Sequence, residues 1–408
     1  MGESGPEQAR IAVFAPYYIH VGTEKAMLTF AQGFAERGYK VDLLRAYHEW
    51  PGFIDTSNVR LVDLNTRHLV NLWPGRPSYR LWNLLLSVEL LPKLSAYIRR
   101  EKPDVLITGL LSAVAVLARG FSRRKTKVVI SVQGLPRPSM LRKVLWNLTY
   151  PLADAIVVPS GDMAKRLPRK AASKARTIYN PVIDVEMLRQ AQQPVEHPWF
   201  QPGQPPVILG VGRLTRQKDF QTLLRAFAII RRSVPSRLVI LGEGEERNEL
   251  ETLARELNIS QDTCLPGFVK NPYGYMSKAR VFVLSSRWEG PGHVLIEALG
   301  TGTAVVSTAC PYGPREILVD GELGPLVPVG DEKAMAEAVL SVLKDDEKPE
   351  LGRVRRRDRA KDFSPEVVIR QYAGLIDDIV GSSPVIHGQH SPVCEHPSEK
   401  QHDKSRSH

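Results

Sequence analysis

The sequence predicts an α/β fold of two domains, each a parallel sheet with helices on both faces. The chain has 408 residues, which is more than one ordinary hydrophobic core holds. Short apolar runs and amphipathic stretches alternate along it in two sets, and a proline-rich stretch separates the sets. The hydrophobic fraction of 43% and the charged fraction of 24% are those of a folded globular protein.

The first set opens with an apolar strand and an amphipathic helix. Residues 10–16 predict the strand, and residues 23–37 have helical spacing that ends at Gly38. Further runs with the pattern of strands are residues 39–45, 105–108, 127–132 and 155–159. The longest apolar run, residues 105–118, has 14 residues and is short of the roughly 20 that cross a bilayer. Gly109 and Ser112 divide it into a buried strand and the start of a helix.

The second set has the near-continuous apolar runs that are typical of strands buried on both faces. The predicted strands are residues 207–214, 237–242, 281–286 and 304–308. The predicted helices between them are residues 220–232, 245–257 and 293–299. Two such domains that meet at a cleft place a ligand at the carboxyl ends of the strands.

These patterns predict five segments. They are an N-terminal domain (1–190), a linker (191–206), a second domain (207–362), a packed helix (363–381) and a tail (382–408). The tail is polar, without periodicity, and holds five of the ten histidines. Disorder explains such a tail better than metal binding does.

The positive charge lies in the first half of the chain. Residues 1–190 hold 28 Lys and Arg against 15 Asp and Glu, although the net charge of the whole chain is only +11. The basic clusters at residues 119–127 and 165–176 indicate a partner such as anionic lipid or a phosphorylated acceptor, or else a solvated face. We expect no nucleic acid partner, because zinc-finger spacing, RNA-binding aromatic motifs and coiled-coil basic regions are all missing.

The remaining composition favours a cytoplasmic protein. The three cysteines, Cys264, Cys310 and Cys394, have no paired spacing and predict neither a disulfide framework nor a zinc site. The first residues show no basic-then-apolar signal sequence. We therefore expect the protein to be cytoplasmic, either free or in peripheral contact with the inner face of the plasma membrane. We expect it to need no metal and no cofactor.

The most informative stretch is residues 284–317, LSSRWEGPGHVLIEALGTGTAVVSTACPYGPREI. A strand ends there, a turn with two glycines follows, and a helix opens near Gly292 or His293. The N–H groups at such a helix start can bind a diphosphate, and a proline suits a helix entrance. Glu289 in the turn and Glu297 about two turns along the helix could contact a transferred group and a ribose. Alternatively, Glu289 is a solvated turn residue and Glu297 an exposed helix residue.

A second cluster of charge follows another predicted strand, in the stretch GVGRLTRQKD at residues 210–219. Its loop carries Arg213 and Lys218 before a helix. Two cations at the carboxyl end of a strand can neutralise a pyrophosphate leaving group. The alternative is an ordinary basic loop. Since both loops follow strands of the second domain, we expect both to open at the same edge of its sheet.

Other glycine motifs carry less information. The GEG run at residues 242–244 is better explained as a tight turn than as a nucleotide contact. The first loop, residues 20–24, places a glycine at a helix entrance but lacks the dinucleotide fingerprint, and the chain contains no GxxxxGK[ST]. The sequence therefore favours neither a dehydrogenase nor a P-loop ATPase.

Taken together, these stretches resemble the retaining glycosyltransferase family 4, whose members have the GT-B fold of two Rossmann-like domains facing across a cleft. The matching segments are IYNPV, GVGRLTRQKDF, VILGEGEERNELE, LPGFVKNPYGYMSKARVFVLSSRWEG, HVLIEALGTGTAVVSTACPYGPREIL and GELGPLVPVGD. They occur in the family's order and are densest between residues 177 and 331.

The resemblance implies a role for each matching residue. Glu289 would contact the donor sugar, Glu297 the ribose, and Arg213 with Lys218 the diphosphate. Gly22 would help the N-terminal domain to close over the donor. Residues implied to line the phosphate and sugar pocket are Gly212, Gly290, Gly292, His293, Val294 and Leu295. The family transfers the sugar with retention of anomeric configuration and without a metal.

Two departures from the family pattern concern the sugar pocket. Gln133 stands where many members have a histidine; it can hydrogen-bond a sugar hydroxyl but cannot shuttle a proton. Pro291 replaces the common Phe or Leu in the turn between the glutamates. His20 and His293 flank the expected cleft. We expect each to have a structural role or to position a ligand, rather than to act as an acid or a base.

The resemblance points towards bacterial enzymes of lipopolysaccharide, capsule or lipid-linked oligosaccharide synthesis. It implies a nucleotide-sugar donor, UDP-linked by first choice and GDP-linked by second, and a glycan or lipid-linked acceptor. The basic N-terminal domain would then contact anionic membrane peripherally. The alternatives are a nucleotide-sugar epimerase or hydrolase of the same fold, or a non-catalytic nucleotide-sugar-binding protein.

Overall fold

Two parallel sheets, one in each half of the chain, organise the protein. The computed structural model describes residues 9–16, 22–46, 58–66, 79–132, 140–344 and 349–381. Within these residues, the first sheet has seven strands in the order β3-β2-β1-β4-β5-β6-β7, and the second has six in the order β10-β9-β8-β11-β12-β13. The described strand pairs all run parallel. The predicted fold class, two parallel-sheet α/β domains, is confirmed.

The strands of the first sheet are β1 Arg10–Phe14, β2 Lys40–Arg45, β3 Arg60–Asp63, β4 Val105–Thr108, β5 Lys127–Ser131, β6 Ala155–Val158 and β7 Ala175–Thr177. Those of the second are β8 Val207–Val211, β9 Arg237–Leu241, β10 Thr263–Gly267, β11 Val281–Leu284, β12 Ala304–Thr308 and β13 Leu326–Val327.

The helices that accompany the first sheet are α1 Gly22–Glu36, α2 Tyr79–Glu101, α3 Ser112–Ser122, α4 Met140–Thr149, α5 Gly161–Ala164 and α6 Arg169–Ala172. Those that follow are α7 Val185–Ala191, α8 Phe220–Ser233, α9 Arg247–Glu256, α10 Pro272–Lys278, α11 His293–Thr301, α12 Pro314–Ile317, α13 Glu332–Lys344, α14 Pro349–Lys361 and α15 Pro365–Val380.

The strands predicted from apolar runs are the inner strands of each sheet. Every residue of β4, β6 and β11 is buried, because helices cover both faces of a parallel sheet. The sequence analysis missed β3, β7, β10 and β13, whose residues are mostly half-buried or exposed. These four are the outermost strands of the two sheets. An outer strand is covered less completely, so it needs no continuous apolar run.

The last helix, α15, packs on the first domain although it follows the second in sequence. Its apolar residues share a core with α1 and β1, and the aromatic ring of Tyr372 lies 4.6 Å from that of Phe30, centroid to centroid. The hydroxyl of Tyr372, which is buried, lies 2.7 Å from Ser131 Oγ. The chain therefore crosses between the domains twice.

The two crossings run side by side. The N–H groups of Val182 and Ile183 both donate to the carbonyl oxygen of Phe363, at 2.8 and 3.1 Å. Val182, Ile183 and Met187 belong to the core of the second domain, ahead of the linker predicted at residues 191–206. The predicted domain boundaries stay predictions, but these contacts show that residues before 191 already pack with the second sheet.

The long apolar run at residues 105–118 divides as predicted. Strand β4 ends at Thr108 and helix α3 begins at Ser112. None of the helices in the described residues has the length and apolar character that spanning a membrane requires.

Candidate functional site

Glu289 and Lys218 form a buried ion pair at the carboxyl edge of the second sheet. Lys218 Nζ lies 2.7 Å from Glu289 Oε1, and the two side chains are 15% and 6% exposed. Ser286 donates its hydroxyl to the same oxygen at 2.5 Å. Glu289 is therefore no solvated turn residue. Among the residues that the structure describes, Glu289 Oε2 has no hydrogen-bond partner, which leaves that oxygen to a ligand.

Sheet order brings the two loops together. β8 and β11 are neighbours, so the loops that follow them meet, as expected from the sequence. Ser285 Oγ donates to the carbonyl oxygen of Lys218 at 2.7 Å. The side-chain amide of Gln217 donates to the carbonyl oxygen of Trp288 at 3.0 Å. The backbone N–H of Arg287 donates to the backbone carbonyl oxygen of Gln217 at 2.8 Å. Hydrogen bonds between the two loops thus fix the position of Lys218 relative to Glu289.

Asp219 anchors the lysine loop at the start of α8. Its backbone is left-handed, with φ of 50°, and its buried carboxylate accepts from Thr222 Oγ1 at 2.9 Å. Arg287 forms an ion pair with the same carboxylate at 3.1 Å. This second pair ties the β8 loop to the β11 loop beside the Lys218–Glu289 pair.

Helix α11 begins at His293, where the sequence placed its start. Gly292 is the N-cap with φ of 65°, and a Cβ on it would lie 3.0 Å from Ile317 Cδ1, so both conformation and space favour glycine. Pro291 precedes the N-cap and is not part of the first helical turn. The start of α11 is half-buried at His293, whose Nε2 lies 3.1 Å from Asn180 Nδ2. The positive end of the helix dipole therefore lies beside the Glu289 turn.

Glu297 is the fifth residue of α11 and lies just over one turn from its start, not two turns as predicted. It is half-buried rather than exposed. Burial raises the pKa of the Tyr273 phenol, and the negative charge of Glu297 raises it further. Glu297 thus lies close to Tyr273 of α10.

Side chains on the glycines of the β8 and β9 loops would meet close neighbours. Gly212 has φ of 159°, and a Cβ on it would lie 3.1 Å from the Lys218 side chain. Gly242 has φ of 134°, and its Cβ would lie 2.0 Å from the carbonyl oxygen of Gly212. A Cβ on Gly244 would lie 2.2 Å from the carbonyl oxygen of Leu214. These contacts support a structural turn at residues 242–244.

The structure describes some of the other predicted site residues and not others. Arg213 is exposed at the carboxyl end of β8, and no ion pair holds it among the described parts of the chain. Gly290 lies between Glu289 and the N-cap, with open space where a Cβ would be. Gly22 begins α1. His20 and Gln133 lie outside the described residues.

Some residues of the site were not singled out from the sequence. Ser286 stands three positions before Glu289, and its hydroxyl orients that carboxylate. Asn180 lies in the IYNPV segment and contacts His293 from the crossing between the domains. A serine at the end of a strand is too common to be a signal. Within the described ranges, His, Cys, Asp and Glu side chains form no cluster that could hold a metal ion.

Comparison with known proteins places this site in a family. A model described as glycosyl transferases group 1 matches residues 194–358, and one described as glycosyltransferase family 4 matches residues 21–185.

Two curated relatives match over most of their own length. One is an N-acetylgalactosamine-N,N'-diacetylbacillosaminyl-diphospho-undecaprenol 4-alpha-N-acetylgalactosaminyltransferase of Campylobacter jejuni, 35% identical over 63% of this chain and 71% of that protein. Another is the lipopolysaccharide core biosynthesis glycosyltransferase LpsE of Rhizobium meliloti, 30% identical over 72% of this chain and 82% of that protein.

Solved structures agree in fold at low sequence identity. A glycosyltransferase from Rickettsia africae superposes with a TM-score of 0.75 at 15% identity, covering 93% of this chain and 100% of that one. Anabaena HepE in complex with UDP has a TM-score of 0.69 at 16% identity, with 90% and 100% covered. The two family models span both sheets, and the Campylobacter and Rhizobium enzymes align across most of their length, so the chain belongs to the family 4 glycosyltransferases and its two parallel-sheet domains form a GT-B fold.

Proposed function

We propose that the protein is a retaining glycosyltransferase that moves a sugar from a nucleotide-sugar to a glycan or lipid-linked acceptor in bacterial cell-surface polysaccharide or glycolipid synthesis. The observation that carries the proposal is the Glu289 carboxylate. Lys218 and Ser286 both bind Oε1, and Oε2 is left without a partner in the described residues. A carboxylate oxygen so fixed can accept a hydrogen bond from a sugar hydroxyl.

Lys218 and Arg213 act on the diphosphate in this proposal. Lys218 Nζ has three donors and uses one on Glu289. Its other donors, the exposed Arg213 and the start of α11 can together stabilise the charge that grows on the leaving diphosphate. These groups supply the positive charge that a metal ion would otherwise provide, so we propose that transfer needs no metal. Glu297 binds the ribose hydroxyls.

The proposed reaction keeps the anomeric configuration. The acceptor hydroxyl attacks from the face that the diphosphate leaves, and a phosphate oxygen of the donor takes its proton as the new glycosidic bond forms. The bond between the anomeric carbon and the diphosphate breaks with both electrons going to the leaving group. A side-chain base is not required, in keeping with His293 bonded to Asn180.

The choice of donor and acceptor class rests on relatives. Anabaena HepE is described with UDP, which favours a UDP-sugar over a GDP-sugar. The Campylobacter relative is named for a diphospho-undecaprenol acceptor. The intact Lys218–Glu289 pair favours catalysis over a non-catalytic binding protein, and no feature of the described residues favours an epimerase.

Calorimetric titration with UDP, GDP and ADP tests the nucleotide site directly. We expect one nucleotide, UDP first, to bind with micromolar affinity in the presence of EDTA. Glu297→Ala should weaken that binding by about tenfold or more, since a hydrogen bond to a charged group contributes about 1.5–3 kcal/mol. Arg213→Ala should weaken UDP more than uridine. Binding by none of the three nucleotides, or full affinity in both variants, contradicts the proposal.

We also propose that the membrane contact is made by α3 and α4. These adjacent helices contain no acidic residue, and the exposed large apolar residues among their described side chains are Leu117, Phe121, Val144, Leu145 and Leu148. Arg123, Arg124 and Lys125 follow α3 directly and are exposed. An apolar face bordered by cations suits an anionic bilayer surface.

Vesicle co-sedimentation tests this membrane contact. The protein should bind vesicles that contain anionic lipid and should bind neutral ones weakly. Phe121→Ser combined with Leu148→Ser should lower the vesicle affinity about tenfold or more, because two large apolar side chains no longer insert. Val185→Ser, at an apolar residue on α7 that is even more exposed than Phe121 and Leu148, is the control. Equal binding by all three proteins would exclude α3 and α4 as the contact.

A further inference from the structure

The segment that follows β12, residues 310–317, contacts both the Glu289 turn and the first domain; we call it the coupling segment. Near the N-terminal end of this segment, the carbonyl oxygen of Pro311 accepts a hydrogen bond from the N–H of Glu289 at 3.3 Å. Just before it, Thr308 Oγ1 donates to the carbonyl oxygen of Ser286 at 2.6 Å. The backbone that carries Glu289 is thus attached to the coupling segment.

The middle of the coupling segment also packs on that turn. A Cβ on Gly313 would lie 3.6 Å from the carbonyl oxygen of Gly290 and 3.4 Å from Ile317 Cδ1. The same Ile317 atom would lie 3.0 Å from a Cβ on Gly292, the N-cap of α11. The coupling segment therefore supports the whole stretch from Glu289 to the start of α11.

Glu316 connects the coupling segment to the first domain. Glu316 Oε2 accepts from the N–H of Gly161, which begins α5 after β6, at 2.9 Å. Glu316 Oε1 accepts from the Tyr179 hydroxyl at 2.9 Å, and Tyr179 lies in the crossing between the domains. One carboxylate therefore bridges the first domain and the crossing.

Tyr312 makes a second contact with the first domain. Its ring packs against the core of that domain beneath Arg166, whose guanidinium carbon is 5.4 Å from the ring centroid. Tyr312 has φ of 67°, a left-handed conformation that is strained for a non-glycine residue and persists only when its surroundings hold it. The packing of its ring on the first domain is one contact that can hold it.

We propose that the coupling segment transmits the relative position of the two domains to the Glu289 turn, and that Glu316 is a positioning residue for sugar transfer. When the first domain is in contact with the coupling segment, Glu316 and Tyr312 keep the segment in its strained conformation. Pro311 and Gly313 then keep Glu289 in place. When the first domain moves away, Tyr312 relaxes and the turn loses its support. The inference rests on the proposed role of Glu289 in donor binding.

Hydrogen exchange on the full chain tests the coupling without reference to activity. Glu316→Ala should speed amide exchange in residues 159–165, which lose their direct contact, and also in residues 286–293, which touch Glu316 only through the coupling segment. Arg166→Ala, an exposed change that leaves Glu316 intact, should speed exchange at residues 286–293 as well. Glu322→Ala is the matched control, since the Glu322 side chain is exposed and pairs with Arg355, away from the first domain. Faster exchange confined to residues 159–165 would overturn the proposal.

Steady-state kinetics separate positioning from plain destabilisation. Well below the unfolding temperature, Glu316→Ala should lower kcat by about 10- to 100-fold, the scale of a small misplacement of a reacting group, with UDP affinity unchanged. Glu316→Gln, which can still accept one hydrogen bond, should recover most of that loss. A loss of kcat matched by a loss of UDP affinity, with no recovery in the glutamine variant, contradicts positioning. If the exchange result holds but the wild-type protein transfers no sugar, the proposed function fails and the coupling stands.

Discussion

Glu289→Gln is expected to lower kcat for sugar transfer by about 10²–10³-fold, the loss that follows removal of one group fixed against the reacting centre. The amide keeps the size of the side chain but removes the charge that Lys218 and Ser286 hold in place. It also weakens the hydrogen bond that Oε2 offers to a sugar hydroxyl. The measurement is single-turnover transfer with the donor identified by calorimetry.

Affinity for the bare nucleotide separates this effect from general damage. UDP should bind Glu289→Gln as well as the wild type, or better, because Lys218 no longer shares its charge with a carboxylate. Glu251→Gln is the matched control; Glu251 lies on α9 and pairs with Arg247, at 42% exposure. Unchanged kcat in Glu289→Gln, or UDP affinity lost in proportion to kcat, would remove Glu289 from the donor-sugar site.

Asp42→Asn is expected to lower the free energy of unfolding by about 1.5–3 kcal/mol, the contribution of hydrogen bonds to a charged group, because the arginines left behind can still be hydrated. The Asp42 side chain is 4% exposed and accepts from Arg10 at 2.9 Å and from Arg60 at 2.7 Å. The Tyr97 hydroxyl donates to it as well. Urea unfolding measures the change, and Asp358→Asn, at an exposed pair with Lys361, should cost about 0.5 kcal/mol or less. Equal losses in both variants would contradict the role given to Asp42.

The same cluster predicts how stability depends on acid. Burial alone would raise the pKa of Asp42, but hydrogen bonds from Arg60 and Tyr97 and the charge of Arg10 outweigh it and hold the pKa below 3.8. Hydrogen bonds from Arg60, Arg100 and Arg10 lower the pKa of Glu101 from 4.5 to about 2. Since the unfolded chain binds these protons more readily, the stabilisation is complete above about pH 4.5 and is lost as the pH falls towards 2. Asp42→Asn should flatten this part of the pH profile.

Much of the fold could be predicted from the sequence because inner strands of a parallel sheet are buried on both faces. β4, β6 and β11 are buried throughout and almost entirely apolar, and they were predicted, whereas the outermost strands β3, β7, β10 and β13 were not. The start of α11 was also predictable, since Gly292 and the preceding turn mark it locally. The depth of Glu297 along α11 was overestimated, because four positions from His293 make just over one helical turn and not two.

The two α/β domains, the charged loops, and the glutamates and cations within them could be predicted from the sequence, because these features depend on residue type and on neighbours along the chain. Which of these residues meet depends on how the elements pack. Lys218 and Glu289 are 71 positions apart and pair because β8 lies next to β11. Glu316 reaches Gly161 across 155 positions, and α15 returns to pack on α1. Strand order and domain packing depend on the free energy of the whole core, and local spacing does not encode them.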